Sequence, residues 1–251
     1  MAVTMAANSL VEFEKTKCYA ISEKEAGCIY KEIFEDGIYD INLPAKPFVI
    51  DVGANIGLFS IFIKSQYPSA EILAFEPAPA TYNVLSRNVD LHNLKQVAIF
   101  EYGLSSQPGQ AKLTYFPNLP GNSTIRPHEK QMLYEQAVAK HGQAVADGYF
   151  GASQEIPIKL ERLSHFLQNR AGLSAIDLLK VDVEGAELEV LRGLSDVHWD
   201  MIRNVLVETW EKSGDREEIE KLLTEKGFRV DLPVVPGVSD GFHMIRATKG
   251  P

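Results

Sequence analysis

Short, wholly apolar runs alternate with longer amphipathic stretches along most of this chain. Phe48-Val49-Ile50-Asp51-Val52 has the composition of a strand buried on both faces and ends beside an acid. A glycine-bearing turn over 53–57 leads into a helical-length segment with Leu58, Phe59, Ile61, Phe62 and Ile63, closed by Tyr67-Pro68. Residues 71–77 repeat the pattern of a strand ending in an acid, and 79–92 carry a helical stripe of Tyr82, Leu85, Val89 and Leu91. Residues 97–102 supply a third strand. The rhythm resumes with a strand over 176–181, a helix over 186–194, a strand over 205–207 and a charged helix over 216–226 ended by Gly227. A last strand, 242–247, follows a loop at 233–240 and is expected to run antiparallel. Strands alternating with helices of this length predict βαβ units, a mostly parallel sheet and helices on both faces.

Two stretches stand outside the alternation. Residues 1–46, with Tyr30, Phe34 and Tyr39 and a Leu43-Pro-Ala-Lys-Pro47 break, read as a helix or hairpin covering the sheet. Residues 47–251 read as one domain. Between about 117 and 157 that domain is interrupted by Pro, Gly, Asn and a polar, helix-prone piece at 129–146. An insertion of this length in a compact fold is usually a lid or binding loop, here read as a cover over the substrate.

Charge narrows the class. The formal net charge of −9 and the absence of a basic stripe argue against a nucleic-acid partner. No apolar run approaches the ~20 residues of a membrane span. The first ten residues lack the charged start and apolar core of a secretory signal, so a cytoplasmic location is expected. Cys18 and Cys28 fit no metal spacing and read as reduced thiols.

The densest chemical signal is Asp51-Val-Gly53-Ala-Asn55-Ile-Gly57, opening a helix after a buried strand. Glycines there allow a tight turn and a close approach of backbone to ligand. A dinucleotide fingerprint has a further glycine in the middle and seats a pyrophosphate on the helix N-terminus. This turn lacks that glycine and sets Asp51 where a pyrophosphate would be repelled, which favours S-adenosylmethionine, with its sulfonium and ammonium, over a nicotinamide dinucleotide. Glu76, ending the next strand, stands where adjacent ribose hydroxyls could donate to it. Gly103 and Ser105 continue the same edge after the third strand, toward the adenine.

A second cluster, Lys180-Val-Asp182-Val-Glu184-Gly185-Ala-Glu187, follows the fourth buried strand. Asp182 is expected beside both the methyl donor and the acceptor. Glu187 and Glu189 fall in the first turns of the next helix, where acids suit the dipole. Methyl transfer to oxygen needs alignment, exclusion of water and a general base. Glu208, at the end of the fifth strand, and His128, in the insertion, are the first candidates for the base, with Glu129, Glu184 and His243 behind them. Asp182 and Glu208 could begin a set of hard oxygen ligands, but no Asp-Asn pair follows the fifth strand, and no metal is expected. An N-methyltransferase is a second reading, although Asp182-Val-Glu184-Gly185 stands where many such enzymes carry an Asn/Asp-Pro-Pro-aromatic turn. A non-catalytic donor-binding or carrier-interaction module is a third.

The stretches VIDVGANIGLFSIF (49–62), ILAFEPAPATYNVLSRNV (72–89), YGLSSQPGQAKLTYF (102–116), GNSTI (121–125), DLLKVDVEGAELEVLRGL (177–194) and VLVETW (205–210) resemble the FkbM family of methyltransferases. The resemblance implies the seven-stranded Rossmann-like class I methyltransferase fold, S-adenosylmethionine as donor and a hydroxyl as acceptor. It places Asp51, Gly53, Asn55, Gly57 and Glu76 on the donor, with Asn122 and Ser123 near the pocket. The leader IYKEIFEDGIYDINL (29–43) resembles members associated with polyketide and nonribosomal-peptide assembly lines. That likeness implies a small-molecule hydroxyl acceptor, in some members presented by an acyl or peptidyl carrier protein. This chain departs from those members in its shorter turn, Leu43 to Pro47.

Overall fold

A computed structural model describes residues 9–168, 170–233 and 241–250 of the chain. The leader is both a hairpin and a helix. β1 (Ser9–Glu12) pairs antiparallel with β2 (Lys17–Ala20), and α1 (Glu23–Tyr30) continues into a π-helical turn over Lys31–Glu35. Ser22 caps α1 by accepting the Glu25 N–H at 3.3 Å, and acids fill the first turn, where the helix dipole favours them.

The expected alternation then appears almost residue for residue: β3 (Phe48–Val52), α2 (Leu58–Gln66), β4 (Glu71–Phe75), α3 (Pro79–Leu91) and β5 (Val97–Phe100). Next come β6 (Gly103–Leu104), β7 (Gly109–Tyr115), α4 (Pro127–His141), α5 (Gln143–Phe150), β8 (Gln154–Glu161) and α6 (Leu163–Leu167). The remainder is β9 (Leu178–Val181), α7 (Glu187–Arg192), α8 (Asp196–Met201), β10 (Asn204–Trp210), α9 (Arg216–Glu225), β11 (Arg229–Asp231) and β12 (Phe242–Thr248).

Seven strands form one sheet in the order β11-β12-β10-β9-β3-β4-β5. β5, β4, β3, β9 and β10 run parallel, and β12 lies antiparallel between β10 and β11, as the sequence pattern predicts for the last strand. Strand residues alternate between two cores. Val49, Ile72, Ala74, Leu178 and Leu206 pack against α2, α3 and the leader. Phe48, Ile50, Val52, Leu179, Val205 and Val207 pack with side chains of α6 to α9 on the other face.

Three features differ from expectation. A separate three-stranded sheet, β6-β8-β7, stands beside the main one, and β8 takes up the end of the stretch read as the insertion. Its strands alternate polar and apolar residues, as a half-exposed sheet does, and this is not the continuous apolar run of a buried strand. The helix-prone piece becomes two helices because Gly142 adopts φ 88° between them. β11 is short and exposed, with no apolar run to announce it. The expected loop at 233–240 lies, from residue 234 onward, outside the described residues. Among the described residues, no helix is long and apolar enough to cross a membrane.

Candidate functional site

Every parallel strand of the main sheet ends on the same edge, and there the turns diverge around an open cleft of about 1360 Å³. That volume exceeds the ~300–1,000 Å³ of ordinary ligand pockets and gives room for two reactants side by side.

The turn after β3 forms the floor. Gly53 and Ala54 N–H groups both donate to the Phe75 carbonyl, at 3.0 and 2.9 Å, and Gly57 ends the turn at φ 91° as the residue preceding α2. A side chain at Gly53 (φ 77°) would place its Cβ 1.7 Å from the Asp182 carbonyl oxygen, so only glycine lets the β3 and β9 turns meet. Asn88, wholly buried in α3, clamps this turn to the leader by donating to the Ile56 and Tyr19 carbonyls at 2.7 and 3.0 Å and accepting the Tyr19 N–H at 2.7 Å.

Asp51 was expected to face the donor, but the structure seats it underneath. It is 0% exposed. One oxygen accepts from Ser60 Oγ at 2.9 Å, and the other lies 3.3 Å from Lys180 Nζ. Burial raises its pKa, with Lys180 and Ser60 acting against the shift. Lys180 reaches from β9 to join three elements. Its ammonium donates to the Gly53 carbonyl at 2.8 Å and sits 3.3 Å from Asp182 Oδ2. Burial works against the Lys180 charge, but Asp182 and Asp51 outweigh it and the pKa is raised.

Asn55 and Glu76 stand in the cleft wall. Glu76 accepts the Asn55 N–H at 3.1 Å on one oxygen and the Ala78 N–H at 2.9 Å on the other. Burial pushes its pKa up to about 7, against those two hydrogen bonds. Asn55, at φ 49°, has a buried Oδ1 with no hydrogen-bond partner. Gly103 also lines the cleft. Ser105 does not: its N–H continues the β6–β8 pairing by donating to the Glu161 carbonyl at 2.9 Å.

Much of the remaining lining is acidic. Asp182, Glu184 and Glu208 come from the ends of β9 and β10, and Glu25, Glu32 and Tyr39 come from the leader. The Tyr39 hydroxyl, buried, lies within donating distance of both Asp182 Oδ2 (3.4 Å) and Glu208 Oε2 (3.3 Å). Burial and then the charges of Asp182, Glu184 and Glu32 hold Glu208 well above the usual carboxylate range, with Lys180 opposing. Burial likewise moves Glu25 and Glu32 up to about 7. Glu25 accepts the Gly121 N–H at 2.7 Å, which ties α1 to the turn containing Asn122 and Ser123. Both of these line the cleft, Asn122 accepting from Lys130 Nζ at 3.2 Å and Ser123 Oγ accepting the Phe116 N–H at 3.2 Å. Lys130 also pairs with Glu184, whose pKa burial raises against that pairing.

His128 is misplaced by the sequence reading. It occupies the exposed face at the start of α4, its side chain 75% exposed, with Glu129 Oε1 4.0 Å away as its nearest charge partner. Glu129 turns inward to Arg126 at 3.4 Å, and Arg126 also holds Asp215 at 2.5 Å and Glu189 at 2.9 Å. Glu187 accepts the Val183 and Gly185 N–H groups at 3.1 and 3.0 Å, the structural part its position suggests. The sequence reading missed Tyr39, Glu25, Glu32 and Lys180. Lys180 alone left a signal, because a lysine inside the apolar run Leu-Leu-Lys-Val must find a charged partner when buried.

Comparison with known proteins places this geometry in context. The family model described as "Methyltransferase FkbM domain" matches residues 51–230. The chain is 53% identical over 249 residues to "Methyltransferase sdnD" of Sordaria araneosa, covering 96% of each chain. It is 32% identical over 223 residues to "31-O-demethyl-FK506 methyltransferase FkbM" of Streptomyces tacrolimicus, covering 84% of each. The crystal structure of methyltransferase FkbM from Methylobacillus flagellatus KT superposes with a TM-score of 0.54 at 13% identity, over 87% of this chain and 47% of that one. This chain therefore spans about half the length of that solved one, and the likeness bears on the fold alone.

Proposed function

Because the chain belongs to the FkbM family of methyltransferases, we propose that it methylates a hydroxyl oxygen of a small-molecule natural product (a polyketide, peptide or sugar) with Glu208 as general base. It is an S-adenosylmethionine-dependent enzyme. When bound, that donor supplies a methyl group already activated on a sulfonium.

The residues of the cleft fit such a donor. Each Glu76 oxygen takes one backbone N–H and keeps capacity to accept a ribose hydroxyl. The buried Asn55 Oδ1 lacks a partner and would gain one from a ligand donor. The surplus of carboxylates around the cleft suits a cation and would repel the phosphates of a dinucleotide. Asp51 contributes indirectly, holding Lys180 and through it the Gly53 carbonyl.

The observation that carries the oxygen reading is Glu208, a carboxylate in the same cleft wall as Asp182. Its raised proton affinity suits the removal of a proton from an alcohol at near-neutral pH. A cation bound beside it would lower its pKa again and so favour the ionised form when the donor is in place. The acceptor hydroxyl would then give its proton to Glu208 while its oxygen takes the methyl group. Glu184, held by Lys130, and Asp182, held by Lys180, would fix the charge around it. The name of the 31-O-demethyl-FK506 relative supports oxygen as the acceptor atom. The helices α4 and α5 would cover the acceptor, either free or presented by a carrier protein.

The test uses isotopically labelled donor with a panel of hydroxyl-bearing acceptors, free and tethered to a carrier protein, and locates the new methyl group by NMR. A methyl ether is expected. Glu208→Gln should lower kcat by ~10²–10⁴ and leave binding of S-adenosylhomocysteine intact. A methyl found on nitrogen, or full turnover in that variant, removes the reading.

A further inference from the structure

Tyr39 lies outside the matched stretch of 51–230, yet its hydroxyl reaches two carboxylates from two different strand ends. Building on Glu208 as the base, we propose that Tyr39 is a positioning residue for the reaction, a single shared proton donor that orients Glu208 toward the acceptor and sets the pH at which it works.

The geometry constrains the sharing. A phenol has one hydrogen, so Glu208 and Asp182 compete for a single donated proton, and a bond strengthened to one weakens that to the other. Asp182 has a second partner in Lys180 at 3.3 Å, whereas the Tyr39 hydroxyl is the hydrogen-bond partner of Glu208 among the described residues. The proton is therefore worth more to Glu208 whenever that carboxylate is charged. Burial, followed by the charges of Asp182, Glu208, Glu32 and Asp51, keeps the phenol protonated and so a donor at working pH. The ring is fixed edge-on against Phe59, with centroids 5.3 Å apart, and Lys180 Nζ lies 6.0 Å from its centroid. Of the groups facing Glu208, Asp182, Glu184 and Glu32 most disfavour its charge, Lys180 and the Tyr39 hydroxyl favour it, and Lys130, Glu129 and Glu187 line the same small pocket. Removing the hydroxyl strips a hydrogen-bond donor from the ionised base.

The experiment is the pH dependence of kcat and of KM for the donor in the full chain. Tyr39→Phe keeps the ring and its packing. Its acid limb in kcat should move up by about one pH unit, about tenfold in the ionised fraction below the pKa, with KM for the donor unchanged. Replacement of Tyr39 by 3,5-difluorotyrosine, a stronger donor of nearly the same shape, should move the limb the other way. A purely structural role predicts neither displacement, and limbs that coincide with the wild type in both proteins overturn the proposal. Should Tyr39→Phe not fold, the fluorinated protein decides alone. Glu208→Gln serves as the separate check: an acid limb that survives it removes Glu208 as the base, whatever Tyr39 does.

Discussion

At the scale of single residues, the cleft is governed by carboxylates that burial makes reluctant to ionise. Glu76 is the one whose loss should be read directly in donor binding. Glu76→Ala removes an acceptor worth ~1.5–3 kcal/mol to hydroxyl donors, so affinity for S-adenosylhomocysteine should fall by an order of magnitude or more by calorimetry. Unchanged affinity would place Glu76 outside the donor site. The same reluctance has a consequence for stability. Glu25, Glu32, Glu76 and Glu187 each have a folded pKa of about 7 against an ordinary 4.5. Between those values the unfolded chain releases protons that the folded chain keeps, so stability falls as pH rises through that window and levels off above it. His198, lowered by burial, acts the opposite way below its ordinary 6.5 and offsets part of the trend. Thermal melts without ligand should show a higher Tm near pH 5.5 than near pH 7.5. A cationic donor should narrow that gap, because it compensates the charges that form at the higher pH. Glu76 was legible in the sequence because a strand end after a glycine turn points to one place in the fold. Tyr39, Glu25 and Glu32 were not, because their importance depends on meeting residues 51 to 176 positions away, which no local pattern encodes. His128 misled for the converse reason: Pro127 starts a helix there, and the second position of that helix faces outward.

At the scale of elements, the parallel strands were readable because a strand buried on both faces is apolar throughout, and five of these were recognised within three residues of their ends. The β6-β8-β7 sheet and β11 were not, since exposure on one face or at an edge dilutes the apolar signal. The meeting of the β3 and β9 turns is where these elements become a site, and Gly53 is its tightest point. Gly53→Ala must push its Cβ against the Asp182 backbone, where no rotamer change relieves the 1.7 Å contact, and must do so at φ 77°. The cost should be roughly 3 kcal/mol, the upper end for a point substitution. In a chain of this size that is a fall of roughly 6–12 °C in Tm. Donor binding should be lost with it. Gly109→Ala, in a strand with nothing within 4 Å of the new Cβ, is the matched control and should change stability by no more than ~0.5 kcal/mol. Equal melting temperatures for the two variants would show that the turns can separate at little cost.

At the scale of the whole molecule, the matched stretch of 51–230 holds most of the sheet but neither β12 nor the leader, and both are built into its packing. Tyr30, Ile33, Phe34, Ile38 and Tyr39 of the leader belong to the same core cluster as Phe59, Phe62 and Ile63 of α2. Phe13, Tyr30 and Phe34 stack in series at 4.3 and 5.0 Å, and Phe34 meets Phe62 edge-on at 5.3 Å. At ~1.5–3 kcal/mol for each large side chain buried, these five contribute on the order of 10 kcal/mol. That is comparable with the ~5–15 kcal/mol by which a domain is stable at all. A fragment of residues 47–251 should therefore expose the α2 face as one apolar patch and lose its cooperative melt, aggregating on size-exclusion chromatography. It should also fail to bind S-adenosylhomocysteine, because the Asn88 clamp on the glycine turn loses its Tyr19 half. Adding the leader as a separate chain of residues 1–46 should restore part of the melt if packing is the cause. A fragment that melts cooperatively near the full-length Tm and binds the ligand normally would mean that the leader is a lid on a finished domain, and that the site's dependence on it is confined to Tyr39, Glu25 and Glu32.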